Sequence, residues 1–184
     1  MSGSELFQDG KSLVPMPTRD TARLVLLDEF DQVLLIRIEN NDVEDPIKPL
    51  KKAFWVTPGG KIEPDESPEQ AVRRELLEET GITEAEILGQ VWYGEVDLLW
   101  KGEVTRLRER FFLTKVQKVV INVKGLSQEE KAVYRSHKWW KLEELFHSDD
   151  IFIPQHLPNL LEPLIRGDIP TSPITINLST PETE

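Results

Sequence analysis

Runs of apolar residues divide this 184-residue chain into predicted strands and helices. Two β-rich runs, TARLVLLD and QVLLIRI, are separated by Glu29 to Asp31 and predict a hairpin with a short loop. The run AFWV predicts a short third strand. Two longer runs that meet at Lys101 and Gly102 predict a second antiparallel pair, EAEILGQVWYGEVDLLW and EVTRLRERFFLTKV.

The later part of the chain mixes loop, strand and helix signals. The run LSQEEKAVYRS predicts a loop, with a helical turn as the alternative, and HKWWKL predicts a strand with Trp139 and Trp140 on opposite faces. LEELFHSDD predicts a short helix, and a final helix is expected after Pro154, through LPNLLEPLIRGD, with Gly167 as its stop. This order predicts an α+β chain with a mixed β-sheet flanked by helices.

The same patterns predict one domain over residues 19–167. Residues 1–18 are polar and contain two prolines, so they predict an irregular N-terminal arm. Residues 168–184 are expected to form an extended or disordered tail, with a partner-binding strand as the alternative. The polar, proline-broken segment 39–52 predicts a surface loop, and loops beside a site often select the substrate.

The clearest local helix signal lies between Ser67 and Gly81. Ser67 suits the N-cap, Pro68 suits the first helical position, and Gln70 completes a capping-box pattern. Gly81 provides the stop, because glycine readily adopts the left-handed conformation that closes many helices. The predicted helix has about 13 residues, which is a common helix length.

Three glutamates share one face of this predicted helix. At 100° per residue, Glu79 lies about 40° from Glu75, and Glu78 lies about 60° away on the other side. Like charges at this spacing destabilise a helix unless they face open solvent or a cation. Because Val72 and Leu76 place the acidic face beside the buried stripe, a cation is the better interpretation. Carboxylate ligands without cysteine suit Mg²⁺ or Mn²⁺ rather than zinc.

A longer motif surrounds these glutamates. It reads Gly60, five residues, Glu66, seven residues, Arg74-Glu75-Leu76, one residue, Glu78-Glu79, one residue, Gly81-Ile82. With typical residue usage, a chance match at a given start is on the order of 10⁻⁸. This is the complete Nudix box, and the chain resembles the Nudix hydrolases, which use divalent metal to cleave nucleoside diphosphates linked to another moiety.

The resemblance implies an α/β/α sandwich and metal-assisted hydrolysis of a pyrophosphate bond. It implies Glu75 and Glu79 as principal ligands of Mg²⁺ or Mn²⁺, and Glu78 as a further ligand or the catalytic base. It also points to the backbone carbonyl of Gly60 as a ligand. Arg74 belongs to the same candidate catalytic group, where it is expected to orient a carboxylate, while Glu66 is expected to hold the loop.

Outside the box, Glu109 is the candidate for an extra ligand or catalytic carboxylate. Strand alternation places it on the apolar face shared by Leu107 and Phe111, where an acid is costly unless it is paired or metal-bound. Burial opposite an arginine is the structural alternative. Its rivals for the role lie in other segments: Glu103, Glu129 and Glu130.

Candidate substrate-binding cations are Arg37 and Lys61, together with one of the three arginines Arg106, Arg108 and Arg110. A solvated surface position is the alternative for each of them. The three histidines are widely separated and share no ligand spacing, so structural roles are favoured: His137, His147 and His156.

Composition limits the partners. The formal net charge of −11 argues against general nucleic-acid binding, whereas small phosphoanhydrides stay compatible because a metal supplies local positive charge. The chain has no cysteine, which excludes thiol catalysis and fits a cytoplasmic protein. No apolar run approaches the roughly 20 residues that span a bilayer. A homodimer stays an open alternative.

The sequence therefore predicts a Nudix pyrophosphohydrolase acting on a nucleoside diphosphate linked to another group. The alternative is a non-catalytic Nudix-fold module that binds a nucleotide or regulates a partner. An isomerase on the same scaffold is disfavoured, because the chain lacks a cysteine that could serve as acid or base. Modified nucleoside triphosphates, ADP-ribose, dinucleoside polyphosphates and capped RNA all stay open as substrates.

Overall fold

The computed structural model describes residues 15–39, 43–44, 53–117 and 119–179. Within them lie ten strands: β1 (Thr18–Leu27), β2 (Val33–Ile38), β3 (Val43–Glu44), β4 (Phe54–Val56), β5 (Gly59–Lys61), β6 (Glu86–Trp100), β7 (Glu103–Lys115), β8 (Tyr134–Trp140), β9 (Phe152–Ile153) and β10 (Ile174–Thr175). Four α-helices accompany them: α1 (Pro68–Thr80), α2 (Gln128–Val133), α3 (Leu142–His147) and α4 (Leu157–Ile165). Most of the predicted loop 39–52, most of the predicted arm and the last residues of the tail lie outside the described residues.

The strands form one mixed sheet with β1 at its centre. β1 runs parallel to β7 and antiparallel to β2, and the main strand order is β10-β6-β7-β1-β2-β4-β9. The predicted hairpins β1–β2 and β6–β7 are both present as antiparallel pairs. β1 also pairs antiparallel with the short strand β5, in the register Arg23 to Gly59. This pairing places the glycine pair that precedes α1 directly against the central strand.

Helices cover both faces of the sheet. Val25 and Leu27 of β1 belong to one hydrophobic core with residues of α3 and α4. The alternate residues Leu24 and Leu26 belong to a second core with residues of α1. Because side chains alternate across a strand, the two cores lie on opposite sides of the sheet. The predicted α/β/α arrangement is therefore confirmed.

Several boundaries differ from the sequence prediction. The segment LSQEEKAVYRS contains α2, which corresponds to the helical turn named as the alternative to a loop, and β8 begins at Tyr134 rather than at His137. A capping box between Ser127 and Glu130 starts α2, and this local signal was present in the sequence. Helix α4 ends at Ile165, and Gly167 closes it as predicted: it has a φ of 90°, its amide donates to the carbonyl oxygen of Leu164, and the amide of Asp168 donates to that of Pro163. Boundaries of short elements are the least certain part of a sequence-based prediction.

The described part of the tail is extended and joins the molecule's own sheet. β10 pairs parallel with β6, and Ile176 and Leu178 beyond it are buried in the core shared with α3 and α4. Leu178 lies against Gly94, where a β-carbon would clash with the leucine side chain. The tail therefore contributes to packing on this face.

Among the residues that the structure describes, no helix has the length and apolarity needed to cross a membrane.

Candidate active site

Helix α1 presents the three glutamates of the box in different environments. Its N-terminus carries the predicted capping box, and Gly81 closes it with a φ of 73°. Glu75 and Glu79 are buried, with 2% and 8% of their surface exposed, whereas the Glu78 side chain is 42% exposed. All three carboxylates line one cavity, but two of them are buried at its wall and the third is partly exposed.

Glu79 is held by the main chain of the glycine loop. The amide of Gly59 donates a hydrogen bond of 2.5 Å to Oε2 of Glu79. Gly59 has a φ of 134°, and a β-carbon there would collide with the carbonyl oxygen of Ala22. Burial, and then the negative charge of Glu75, raise the pKa of Glu79 to about 8, although the Gly59 amide and Arg23 oppose the rise.

Glu75 has one paired and one unpaired oxygen. Oε1 accepts a hydrogen bond of 2.7 Å from Nη1 of Arg74, while Oε2 is buried and has no hydrogen-bond partner among the described residues. Burial raises the pKa of Glu75, and Arg74 counteracts part of this effect. Gly60 lies against this carboxylate, where a β-carbon would clash with the glutamate side chain. A buried carboxylate oxygen without a hydrogen-bond partner is stabilised by a bound cation or by protonation.

A third carboxylate completes the group from a distant part of the chain. Oxygen atoms of Glu75, Glu79 and Glu130 lie within 4.8 Å of one another. Glu130 is placed by the capping box of α2, in which its Oε2 accepts a hydrogen bond of 2.6 Å from the amide of Ser127. The sequence ranked Glu130 as a rival of Glu109 and did not single it out. We call Glu75, Glu79 and Glu130 the carboxylate triad.

The segment before α2 packs directly on α1. Gly125 lies so close to Glu78 that a β-carbon would be 2.8 Å from the Cα of Glu78 and closer still to its carbonyl oxygen. Asn122 lies similarly close to Gly81 at the end of the helix. Backbone contact at these glycines therefore fixes α2, and with it Glu130, relative to the box helix.

Arg74 acts as a brace between the helix and the loop before it. It donates two hydrogen bonds of 2.9 Å to the two oxygens of Glu66, and one of 2.8 Å to the carbonyl oxygen of Lys61. It also donates 2.7 Å and 3.1 Å hydrogen bonds to Glu75 and Glu78. The bond from Arg74 lowers the pKa of Glu66. Arg74 thus connects α1 with the loop before it, while its orienting role and the loop-holding role of Glu66 stay predictions.

Glu109 is buried, as strand alternation predicted, and it is paired with an arginine. Its Oε1 accepts a hydrogen bond of 2.7 Å from Nε of Arg23 and one of 3.3 Å from the hydroxyl of Thr21. Arg23 in turn donates to the carbonyl oxygen of Gly59 over 2.9 Å. Glu109 is not a member of the carboxylate triad, so the geometry favours the structural alternative named for it. Its catalytic role stays a prediction.

The carboxylate triad lines a cavity of about 620 Å³. Lys61 and Glu78 also line it, together with Ile36, Ile38 and Tyr134. A cavity of this size, lined by both charged and apolar residues, suits a small molecule.

The other predicted cations lie away from this cavity. Arg37 is exposed and does not line it, although its neighbours Ile36 and Ile38 do. The three arginines of β7 are engaged with acids elsewhere: Arg106 with Asp97, and both Arg108 and Arg110 with Asp20. Of the predicted substrate-binding cations, Lys61 alone is brought to the cavity.

The donor set fits a hard divalent cation. The carboxylate triad supplies oxygen atoms, one of the buried oxygens of Glu75 lacks a partner, and burial disfavours the ionised form of both helix glutamates. A bound cation would offset that cost. Mg²⁺ and Mn²⁺ both prefer oxygen ligands.

Comparison with known proteins defines the class. The sequence model of the NUDIX domain matches residues 17–160. An RNA pyrophosphohydrolase of Wolbachia pipientis subsp. Culex pipiens is 28% identical over 130 residues, which are 64% of this chain and 78% of that protein. An 8-oxo-dGTP diphosphatase of Proteus vulgaris is 39% identical over 82 residues, which are 36% of this chain and 73% of that protein.

The fold has counterparts among solved structures. A MutT protein from Methanosarcina mazei Go1 superimposes with a TM-score of 0.57 at 24% identity, covering 84% of this chain and 98% of that one. At this identity the likeness concerns the fold. The family match shows that the chain belongs to the Nudix family, and together with the relatives described above it shows a Nudix hydrolase.

Proposed function

We propose that this Nudix hydrolase cleaves the pyrophosphate bond of a nucleoside diphosphate linked to another moiety, with Mg²⁺ or Mn²⁺ as cofactor. The observation that carries the proposal is the carboxylate triad, in which three glutamates from two helices converge beside an unpaired buried oxygen of Glu75. Relatives named as RNA pyrophosphohydrolase and 8-oxo-dGTP diphosphatase support this class of reaction.

Each residue of the site has a separate proposed role. Glu75, Glu79 and Glu130 would hold the ion, and the carbonyl of Gly60, expected from the box, would add a ligand. When bound, the ion would neutralise charge on the phosphates and lower the pKa of the attacking water. Arg74 orients Glu75 and Glu78 through its two hydrogen bonds to them.

Glu78 is the candidate for a further ligand or for the base that accepts the proton from water. Its carboxylate lines the cavity and is partly exposed, so that water can reach it. Lys61 lines the same cavity and can donate to a phosphate oxygen. Ile36 and Tyr134, which also line the cavity, offer surface for the organic part of the substrate.

The proposal is tested by turnover. A panel of nucleoside triphosphates, ADP-ribose, dinucleoside polyphosphates and capped RNA would be incubated with Mg²⁺ or Mn²⁺ and scored for phosphate and nucleotide products. We expect Glu79→Gln to lower kcat at least 100-fold with the fold intact by circular dichroism, because the variant loses a charged ligand. Unchanged turnover in Glu79→Gln would overturn the assignment.

The second candidate is a binding module without turnover. Tight nucleotide binding by calorimetry, with no product over hours in either metal, would favour it. The close approach of three carboxylates favours the enzyme. Their negative charges repel one another, and nucleotide binding without turnover does not require such a cluster. A cytoplasmic location and a homodimer stay predictions.

A further inference from the structure

Arg19 stands apart from the other arginines of the cavity. Arg23 and Arg74 are hydrogen-bonded to carboxylates, whereas Arg19 makes no hydrogen bond or ion pair with a carboxylate among the described residues. Its guanidinium carbon lies 4.7 Å from the centroid of the Trp100 ring, and both side chains line the cavity. Stacking on the indole holds the guanidinium plane in place and leaves its edge donors available.

The electrostatic surroundings of Arg19 leave its charge poorly compensated. Burial lowers the pKa of Arg19, and the positive charge of Arg23 lowers it further. Glu63, Glu75 and Glu109 oppose this effect at longer range, without direct contact. A half-buried cation beside another cation is costly unless a ligand supplies the matching negative charge. Arg19 is therefore suited to receive an anionic group.

The chemistry of the guanidinium selects the kind of anion. A phosphate accepts two parallel hydrogen bonds from the edge of an arginine, which satisfies donors that the protein leaves free. A nucleobase stacked on the guanidinium face would leave those same donors unpaired. The contacts of Arg19 therefore favour a phosphate over a base.

The position of Arg19 indicates which phosphate it receives. Arg19 lies on β1 and Trp100 at the end of β6, whereas Glu75 and Glu79 lie on α1 and Glu130 on α2. Both groups of residues line the same cavity of about 620 Å³. A chain of phosphates could thus extend from the carboxylate triad to the arginine.

We propose that Arg19, stacked on Trp100, binds a substrate phosphate beyond the two that share the cleaved bond, so that substrates with three or more linked phosphates are preferred to those with two. This inference rests on the proposed function and narrows its substrate class. Arg19 would act as a specificity-determining residue.

The experiment measures binding rather than turnover. Calorimetry with Mg²⁺ would compare two analogues, of ADP and of ATP, in which methylene groups replace the bridging phosphate oxygens. We expect wild-type protein to bind the ATP analogue at least 10-fold more tightly than the ADP analogue. Arg19→Gln should remove this difference while changing the Kd of the ADP analogue less than 3-fold, and Arg19→Lys should keep part of it, because lysine keeps the charge but lacks the planar fork.

Arg166→Gln is the matched control, since Arg166 is an exposed arginine of the same charge that pairs with Glu162 near the end of α4. It should keep the full wild-type difference. The inference is overturned if wild-type protein shows no difference, if neither analogue binds, if Arg19→Gln keeps the difference, or if it weakens both analogues equally. If the wild type turns over a substrate of the panel but Arg19→Gln keeps the difference between the two Kd values, the proposed function stands. Only this inference is then overturned.

Discussion

The Nε atom of Arg23 lies 2.7 Å from Oε1 of Glu109, and the same guanidinium reaches the carbonyl oxygen of Gly59. Gly59 in turn donates its amide to Glu79. A buried carboxylate on β7 is thereby linked, through one arginine and one peptide unit, to a predicted metal ligand on α1. Glu109 can thus influence the site by holding the glycine loop, without contacting a substrate.

This relationship predicts the behaviour of Glu109→Gln. The variant leaves Arg23 without its ionised partner, and removing one member of a buried pair costs about 3–5 kcal/mol, or less here because the Arg23 side chain is 22% exposed. We expect a lower free energy of unfolding in urea, together with turnover that falls less than 10-fold. Turnover that falls 100-fold or more at unchanged stability would instead assign Glu109 a catalytic role.

Glu130→Gln tests the third member of the carboxylate triad. The variant keeps the side-chain shape but removes a charged ligand, so we expect the Kd for Mn²⁺, measured by calorimetry, to rise about 10–100-fold. Glu143→Gln is the matched control, because Glu143 is an exposed glutamate in the first turn of α3 and does not line the cavity. Equal effects of the two substitutions would show that only overall charge matters.

The raised pKa of Glu79 predicts how the metal-free protein responds to pH. Glu79 titrates near pH 8 in the folded state but near 4.3 when unfolded, so between these values the folded state binds more protons. Its contribution to stability is therefore complete below about pH 4 and is lost as the pH rises through about 8.

Urea unfolding in EDTA at several pH values from 5 to 9 tests whether this contribution to stability falls as the pH rises. The unfolding free energy of the wild type, relative to that of Glu79→Gln, should fall as the pH rises. Glu69→Gln removes an exposed carboxylate from the same helix and should run parallel to the wild type. If the unfolding free energies of the wild type and Glu79→Gln change with pH in parallel, the raised pKa of Glu79 is contradicted.

Gly125→Ala tests the contact that positions α2. A β-carbon at this position must displace the segment from the backbone of Glu78, and Glu130 would move with it. We expect weaker Mn²⁺ binding, by about 5-fold or more, together with a lower urea midpoint. If Mn²⁺ binding is unchanged, Gly125 does not control the position of Glu130.

The sequence predicted best what is encoded locally. The capping residues Ser67 and Gln70 and the stop at Gly81 lie within one helix length, so α1 and the common face of its glutamates followed directly. The burial of Glu109 also followed, because strand alternation is a local rule.

Long-range placement was harder to predict. Glu130 lies 51 positions beyond Glu79 in the chain, and its approach to the triad depends on backbone contact between Gly125 and α1. The sequence predicted an arginine as the possible partner of Glu109 but not which one. The parallel register of β1 and β7, which selects Arg23, is not visible in the sequence. The same limit explains Arg37, whose strand was predicted but whose outward direction relative to the cavity was not.

The crowding of Gly59 against β1 has a consequence for mutational tolerance. The group that reaches Glu79 is a peptide amide, which nearly every residue type possesses, yet the conformation and the space at this position admit no side chain. In a saturation scan, position 59 should therefore reject every replacement, although its residue contributes no side-chain chemistry. Conversely, a designer who transplants this site to another scaffold must copy a stretch of backbone before choosing any acidic residue.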